Sequence, residues 1–535
     1  MKQRERLKKY KSYVKNLLMP AVVLGFITGT VTSIVVTLYK LVAKYIVELS
    51  VSGYGYIREH LYFIPIALFA FAIISIVSSY VYKKIPEIKG GGIPTAIGAL
   101  RGIIPFKWLR TLIGVFTMSL TSFLLGVPLG TEGPSVQTGT AIGRGAVRIF
   151  GKKNLAWDRY SMSGGACAGF SVATGAPISG IMFAIEEAHQ RISPTIIIVA
   201  SFSVLFANIT TKLLSPLVGV EEKLFEISGL EALTVYEYWL PVLIGLGIGL
   251  FGVLFLVSHR LIEKTFHKKL SRLPLYAMIF IVFALTLAAG LFSDELVSTG
   301  HELIVELFDN RVEIIILVLA LIIRTALTLG ANVVGITGGT FIPVLAIGAV
   351  ASSLFGNLLI ACGLDPQLYT VALVLGITGC ISGAMKMPLT AIVFAIEALS
   401  CYNNIVPVIM VAMVSFLVTE LFGVDSINDV LLELRLKEMN KNKEQKTIDT
   451  KITVKENSFA VGKQIRDIFW PSNLFVLSLR RKGQGAEVDE HGSRELLAGD
   501  VLHIRYSTVN EDETKEELFA IVGEQRIRET VTEEI

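Results

Sequence analysis

The chain has 535 residues, of which 52% are hydrophobic and only 18% charged. That is below the roughly 25% charged expected of soluble domains and excludes an ordinary soluble enzyme. The charge is uneven: about 35% of residues 437–535 are Asp, Glu, Lys or Arg, against about 14% of the first 436. A membrane body is followed by a water-soluble tail. The net charge of +4 comes with no basic run interleaved with aromatics, so nucleic acid is not an implied partner. Cys167, Cys362, Cys380 and Cys401 lie in apolar segments without metal-ligand spacing and read as buried thiols, with no metal implied.

In chain order, Lys2, Arg4, Arg6, Lys8, Lys9, Lys11 and Lys15 precede the apolar run Asn16–Tyr39. The run is long for a signal peptide and has no small-residue cleavage site, so it reads as an uncleaved first span with a cytoplasmic N-terminus. Charge-free runs at Leu61–Tyr82, Tyr238–Ser258 and Leu273–Ser293 are long enough to cross a bilayer. Between them, Gly- and Pro-interrupted apolar pieces occupy Gly90–Gly151, Gly164–Glu187, Gly330–Gly356 and Gly376–Glu397. Irregular backbone at membrane depth is tolerated where protein or a water path satisfies it, so these breaks are expected to line a site.

The chain repeats. Pro177–Glu186 (PISGIMFAIE) matches Pro388–Glu397 (PLTAIVFAIE), and the Gly, Thr and Pro positions of Gly126–Gly139 match those of Gly335–Gly348 at nearly the same offset. Broken segments at corresponding positions of two halves are the sequence pointer to a transporter site near the midplane.

Three of the broken segments lead from Gly-rich backbone into a Pro suited to a helix start: Gly90-Gly-Gly-Ile-Pro94, Gly130-Thr-Glu-Gly-Pro134 and Gly339-Thr-Phe-Ile-Pro343. Helix starts present unpaired N–H groups and partial positive charge, so several converging would hold an anion without Lys or Arg. Any one alone is more simply helix punctuation; three, two of them related by the repeat, favour a site. Glu132 lies inside one of these turns, and an intramembrane carboxylate is costly enough to be a functional candidate; a solvated loop Glu capping the next helix is the alternative. Glu186 has the repeat counterpart Glu397, which suggests a structural task such as bonding a neighbouring helix end. Glu187 has none and is a candidate proton carrier, in competition with a solvated helix-end carboxylate near His189 and Arg191.

With these motifs in order and spacing, residues 16–437 resemble the CLC chloride channels and chloride/proton exchangers, whose patterns are G-S-G-I-P, G-[RK]-E-G-P and G-x-F-x-P. The resemblance implies an all-α polytopic fold, a CLC-type inverted repeat with broken helices, assembled as a homodimer. It makes Glu132 the external gating glutamate, Glu187 the inner proton-transfer glutamate, and Gly91, Gly92, Thr131, Gly133, Thr340, Phe341 and Asn428 the anion-binding positions, with the backbone N–H groups of Thr340 and Phe341 on the central anion. Two departures from the pattern matter for the central anion: Gly91 replaces the serine of the first motif, and Asn428 falls where a tyrosine is expected. The implied function is proton-coupled chloride transport, with a passive channel gated by a cytoplasmic ligand, or a fluoride-selective variant, as alternatives. No cofactor is implied. A membrane enzyme has little support, since no His-Glu-x-x-His, Gly-x-Ser-x-Gly or Walker pattern occurs.

Residues 438–451 read as a linker. Beyond them, 452–535 are expected to form a small α+β domain, with a helix-compatible piece at Val461–Phe469, strands at Asn473–Arg481 and Val501–Ser507, and a turn at Lys482–Gly485. Gly462–Arg466, Lys482-Gly483 and Leu497–His503 resemble the TrkA-C (RCK-C) ligand-binding domain. The resemblance implies a cytoplasmic tail, both termini cytoplasmic in a multi-pass bacterial membrane protein, and a regulatory ligand such as cyclic di-AMP.

Overall fold

A computed structural model describes residues 14–149, 152–190, 192–225, 227, 229–266, 268, 272–440, 446–471, 474–481, 486–487, 492–508, 511–523 and 528–530. The basic residues 2–11, Arg191 and the expected turn at 482–485 lie outside the described residues. Among these, eight helices are long and apolar enough to cross a membrane.

The first half carries α1 (Met19–Glu59), α2 (Ile64–Lys84), α3 (Ile93–Leu100), α4 (Trp108–Leu124), α5 (Glu132–Ile149), α6 (Asp158–Thr174), α7 (Pro177–Phe183) and α8 (Pro194–Val218). The second carries α9 (Trp239–Thr265), α10 (Leu275–Gly290), α11 (His301–Asp309), α12 (Ile314–Val334), α13 (Phe341–Ala361), α14 (Tyr369–Ala384), α15 (Pro388–Glu397), α16 (Ile405–Leu421) and α17 (Ile427–Asn440). Packing repeats with the sequence: α1 lies on α8 as α9 lies on α16, α5 on α6 as α13 on α14, and α6 on α8 as α14 on α16. At the seam Gly130 and Gly339 pair antiparallel, each N–H donating to the other's carbonyl at 2.7 Å. Equivalent residues meeting antiparallel are related by a two-fold axis, so the helices that follow, α5 and α13, diverge in opposite directions: an inverted repeat.

The two repeat carboxylates do what their matched positions suggest. Glu397 accepts from the N–H groups of Ile178 and Ser179 at the start of α7, each at 2.8 Å. Glu186 accepts reciprocally from Leu389 and Thr390 at the start of α15, at 2.9 and 2.8 Å. Each anion satisfies otherwise orphaned donors and meets the positive end of a helix.

Lipid is as apolar as leucine, so helices in a bilayer associate by close packing rather than by the hydrophobic effect. The α5–α6 contact illustrates this: a Cβ on Gly139 or Gly165 would overlap the other's carbonyl oxygen. Large apolar side chains face outward instead, as along α8 at Leu205, Ile209, Leu213 and Leu217. α1 runs past the expected Tyr39 to Glu59, 41 residues and about 60 Å at 1.5 Å per residue, more than a bilayer core of about 30 Å. α10 keeps only Leu275–Gly290 of the run read as a span.

The tail is an antiparallel sheet of β1 (Lys446–Thr453), β2 (Leu474–Arg480), β3 (Ala486–Glu487), β4 (Val501–Thr508) and β5 (Arg528–Thr530), ordered β3-β2-β4-β1-β5, with helix α18 (Glu511–Val522). Two expectations are corrected. Helix α17 reaches Asn440 and β1 begins at Lys446, so residues 438–440 and 446–451 of the stretch read as a linker belong to regular elements, with Ile448 and Thr450 buried in the tail; residues 441–445 lie outside the described residues. Val461–Phe469 is not a helix, and only Ile465–Asp467 makes a turn of 3-10 geometry: its N–H groups at Gly462, Ile465 and Arg466 donate to residues 492–496 instead.

Candidate functional site

The three Gly-rich turns converge. A Cβ on Gly133 would overlap the Gly91 carbonyl and lie 2.7 Å from the Gly339 Cα. One on Gly92 would overlap the Gly133 carbonyl. Only glycine permits this backbone-to-backbone approach, and Gly92 also has φ of 74°, a left-handed conformation that side chains disfavour. The result is that the first turns of α3, α5 and α13 face one another with Ile93, Glu132 and Phe341 as their first residues.

Glu132 is 1% exposed, which removes the solvated-loop alternative. Its Oε1 accepts from the Thr131 hydroxyl at 2.9 Å. Its carboxyl lies near the N–H groups of Glu132 and Ile342 in the starts of α5 and α13, yet Oε2 has no hydrogen bond of ordinary geometry. A buried carboxylate oxygen without a partner is costly, and here it sits where helix starts would receive an anion. Glu132 and Thr131 also form part of the wall of a cavity of about 320 Å³, together with Ile342, Lys40, Lys223 and His301.

Thr340 and Phe341 are fully buried, and the Thr340 hydroxyl has no partner. A Cβ at Gly91 would stand 3.1 Å from the Thr340 methyl, so the space a serine would enter borders Thr340. The Phe341 ring meets Phe170 edge-on at 5.1 Å and Phe394 at 5.4 Å, while Phe170 stacks on Phe183 at 5.3 Å. Phe183 and Phe394 are repeat equivalents and close the apolar wall around the start of α13.

Glu187 is the fourth residue of a π-helical turn, Ala184–Ala188, after α7 and is 2% exposed. The solvated helix-end alternative is thereby removed; His189 hydrogen-bonds Ser163 at 2.8 Å and faces Phe469. The last turn of α3 reaches Glu187 through Arg101, whose guanidinium donates to the Glu187 and Ala188 carbonyls at 3.0 and 3.2 Å. Asn428, second residue of α17 and fully buried, adjoins the Glu187 carboxyl, though neither amide atom makes a hydrogen bond of ordinary geometry. Thus one end of α3 touches the Glu132 turn and the other holds the Glu187 turn. The two carboxyl environments are separated by roughly the length of an eight-residue helix, about 12 Å.

The structure adds an element that the motifs did not reveal. The far end of α5 and the start of α6 carry Arg144, Arg148, Asp158 and Arg159, and the tail helix α18 meets them: Arg144 pairs with Glu513 at 2.7 Å and Arg159 with Glu517 at 2.6 Å. Tyr160 donates to the Asp467 carbonyl at 2.8 Å and packs on Phe459 and Phe469. The only sequence signal was complementary charge, an acidic run at Glu511–Glu517 and scattered arginines more than 350 residues earlier.

Discontinuous helices meeting at their N-termini between inverted halves define a membrane transport protein built to hold a small anion. The pattern described as "Voltage gated chloride channel" matches residues 73–420, and the chain belongs to this CLC family. It is an integral, multi-pass membrane protein and an ion transporter, not an enzyme. The chain is 28% identical over 431 residues to the H(+)/Cl(-) exchange transporter ClcA of Vibrio parahaemolyticus, covering 78% of this chain and 90% of that one. The ClcA of Klebsiella pneumoniae is 26% identical over 444 residues, covering 81% and 91%. Among solved structures, a slow cyanobacterial Cl−/H+ antiporter superposes with TM-score 0.67 at 25% identity over 79% of this chain and 98% of that one. A CLC-type fluoride/proton antiporter gives TM-score 0.59 at 20% identity, over 76% and 96%, a likeness of fold.

Proposed function

We propose that this chain exchanges chloride for protons, with Glu132 as the outer gate and Glu187 as the inner proton carrier. The observation that carries the reading is the placement of two buried carboxyls at opposite ends of α3, one of them among three convergent helix starts. An anion entering the helix starts displaces the Glu132 carboxylate, which then takes up a proton because the neutral form tolerates the apolar wall better. Glu187 exchanges that proton with the tail-side water. A gap of about 12 Å exceeds one hydrogen bond, so a chain of waters must bridge it. The names of the Vibrio and Klebsiella relatives support this assignment.

The test is anion-by-anion flux in proteoliposomes with simultaneous pH recording. A chloride gradient is expected to drive protons uphill, and Glu187→Gln to cut proton flux on the order of a hundredfold, the scale of a lost positioned proton carrier, with anion flux retained. Anion flux without proton movement, unaffected by Glu187→Gln, would select a passive channel. The absence of hydroxyls at both Gly91 and Asn428 favours a second reading, a fluoride-selective variant, which predicts faster coupled flux with fluoride than with chloride.

The proposal extends to a homodimer, supported by the family resemblance, with both termini in the cytoplasm of a bacterial membrane. The Gly91, Gly92, Thr131, Gly133, Thr340, Phe341 and Asn428 positions are proposed to contact the anion. For residues 452–535 we propose a TrkA-C-like regulatory domain binding a ligand such as cyclic di-AMP. Support comes from its α+β sheet and from the left-handed glycines Gly462 and Gly499 that turn the two described motif segments. A route for regulation exists because α5 begins at Glu132 and ends at the arginines held by α18. The full-length protein is expected to show a concentration-dependent rise in unfolding temperature with cyclic di-AMP; no rise would remove this ligand.

A further inference from the structure

The second motif of this chain lacks a basic residue: Thr131 stands where the pattern G-[RK]-E-G-P has Arg or Lys, leaving the turn around Glu132 without a cation of its own. The fold brings one from far away in sequence. Lys40, in the middle of α1, shares the cavity wall with Thr131 and Glu132. Its ammonium donates to the Glu221 carbonyl at 3.1 Å and to the Val172 carbonyl, in the last turn of α6, at 3.4 Å. An ammonium has three N–H groups; two are held by these carbonyls and one is left for a ligand. Lys40 makes no salt bridge among the described residues. The other charged side chains of the wall, Lys44, Glu48, Glu221, Lys223 and Glu302, are exposed and screened by water, whereas Lys40 is half-buried and Glu132 buried. A lysine kept inside a membrane helix is expensive unless it serves a path or a partner.

We propose that Lys40 is a specificity-determining residue of this transporter: with Thr131 it forms an anion-holding subsite directly outside Glu132, supplying from α1 the positive charge that the motif lacks. The ligand is a small monovalent anion, held first by the Lys40 ammonium; the Thr131 hydroxyl, whose one proton bonds Glu132 Oε1 at 2.9 Å, is released to the anion when Glu132 moves aside. The ammonium is tied to carbonyls and makes no ion pair among the described residues, while the Glu132 and Glu221 carboxylates lie within electrostatic reach of it. The proposal rests on the reading of this cavity as the outer mouth of the anion path.

The test varies chloride on one side at a time in planar-bilayer or patch recordings of the full chain, comparing Lys40→Met, Lys40→Gln and Lys40→Arg. Both neutral variants are expected to raise half-saturating chloride on the Glu132 side by about tenfold, the size of one partly screened charge interaction, with the opposite side unchanged. Lys40→Arg is expected to stay close to wild type, and Thr131→Lys in the Lys40→Gln background to recover affinity. A role confined to capping α6 predicts instead that Gln, which still donates to a carbonyl, behaves as wild type while Met lowers the unfolding temperature; that result overturns the proposal, as does an equal change on both sides. If the wild type carries no anion, the exchange reading falls and this inference with it. If it carries chloride and both neutral variants keep the wild-type value, only this inference fails.

Discussion

Glu132→Gln is expected to abolish proton movement, by on the order of a hundredfold or more, while anion movement continues and loses its dependence on pH. Glutamine copies the shape and neutrality of the protonated acid. It keeps an oxygen to accept the Thr131 hydroxyl, which now bonds Oε1 at 2.9 Å, so the start of α5 has no reason to rearrange. What it loses is the exchangeable proton and the negative charge that competes for the helix starts. The helix ends then stay open to the anion in every part of the cycle. Parallel recording of chloride and pH in proteoliposomes checks this. Proton transport persisting in Glu132→Gln would count against the gating role, and loss of both fluxes would mean that the carboxylate is needed to hold the turn open.

Gly133→Ala is expected to reduce anion transport by at least about tenfold although both glutamates are intact. The added methyl overlaps the Gly91 carbonyl and stands 2.7 Å from the Gly339 Cα. Both obstacles are backbone, which cannot swing aside as a side-chain tip would, so the turns before α3, α5 and α13 must part. Overpacking of this kind costs about 1–3 kcal/mol. It also strains the paired 2.7 Å bonds between Gly130 and Gly339 that hold the two halves in register. Gly53→Ala in α1 is the control, because nothing lies within 4 Å of its added Cβ. Flux measured at matched protein density should separate the two variants, and unchanged transport in Gly133→Ala would argue that the three helix starts do not act as one site.

Much of the site was legible because it is written locally. Glycine and proline punctuation, an isolated carboxylate and a repeat with nearly one offset each occupy a few consecutive residues. Together they placed Glu132 at a helix start and assigned Glu186 and Glu397 a shared structural task, which the crossed bonds to α15 and α7 bear out. The misreadings have a common cause. Composition ends the first span at Tyr39, because Lys40, Lys44 and Glu48 resemble the polar end of a membrane run, whereas they line a cavity. Residues 438–440 and 446–451 read as linker because the polar residues of a helix end and a half-exposed strand have the composition of a loop.

The sequence by itself determined that two solvents surround this chain and that its membrane part is two-fold, and it singled out the turns and carboxylates of the candidate site. These follow from composition and short spacing, set by what a bilayer tolerates and how helices begin. Tertiary structure alone decided that Glu187 is buried at the opposite end of α3 from the Glu132 turn, that the tail grips α5 through Glu513 and α6 through Glu517, and that Lys40 stands beside a motif lacking its basic residue. These contacts join residues about 90 to 370 positions apart, and no local periodicity encodes them: they exist only because helices packed backbone to backbone bring distant charges into one low-dielectric space.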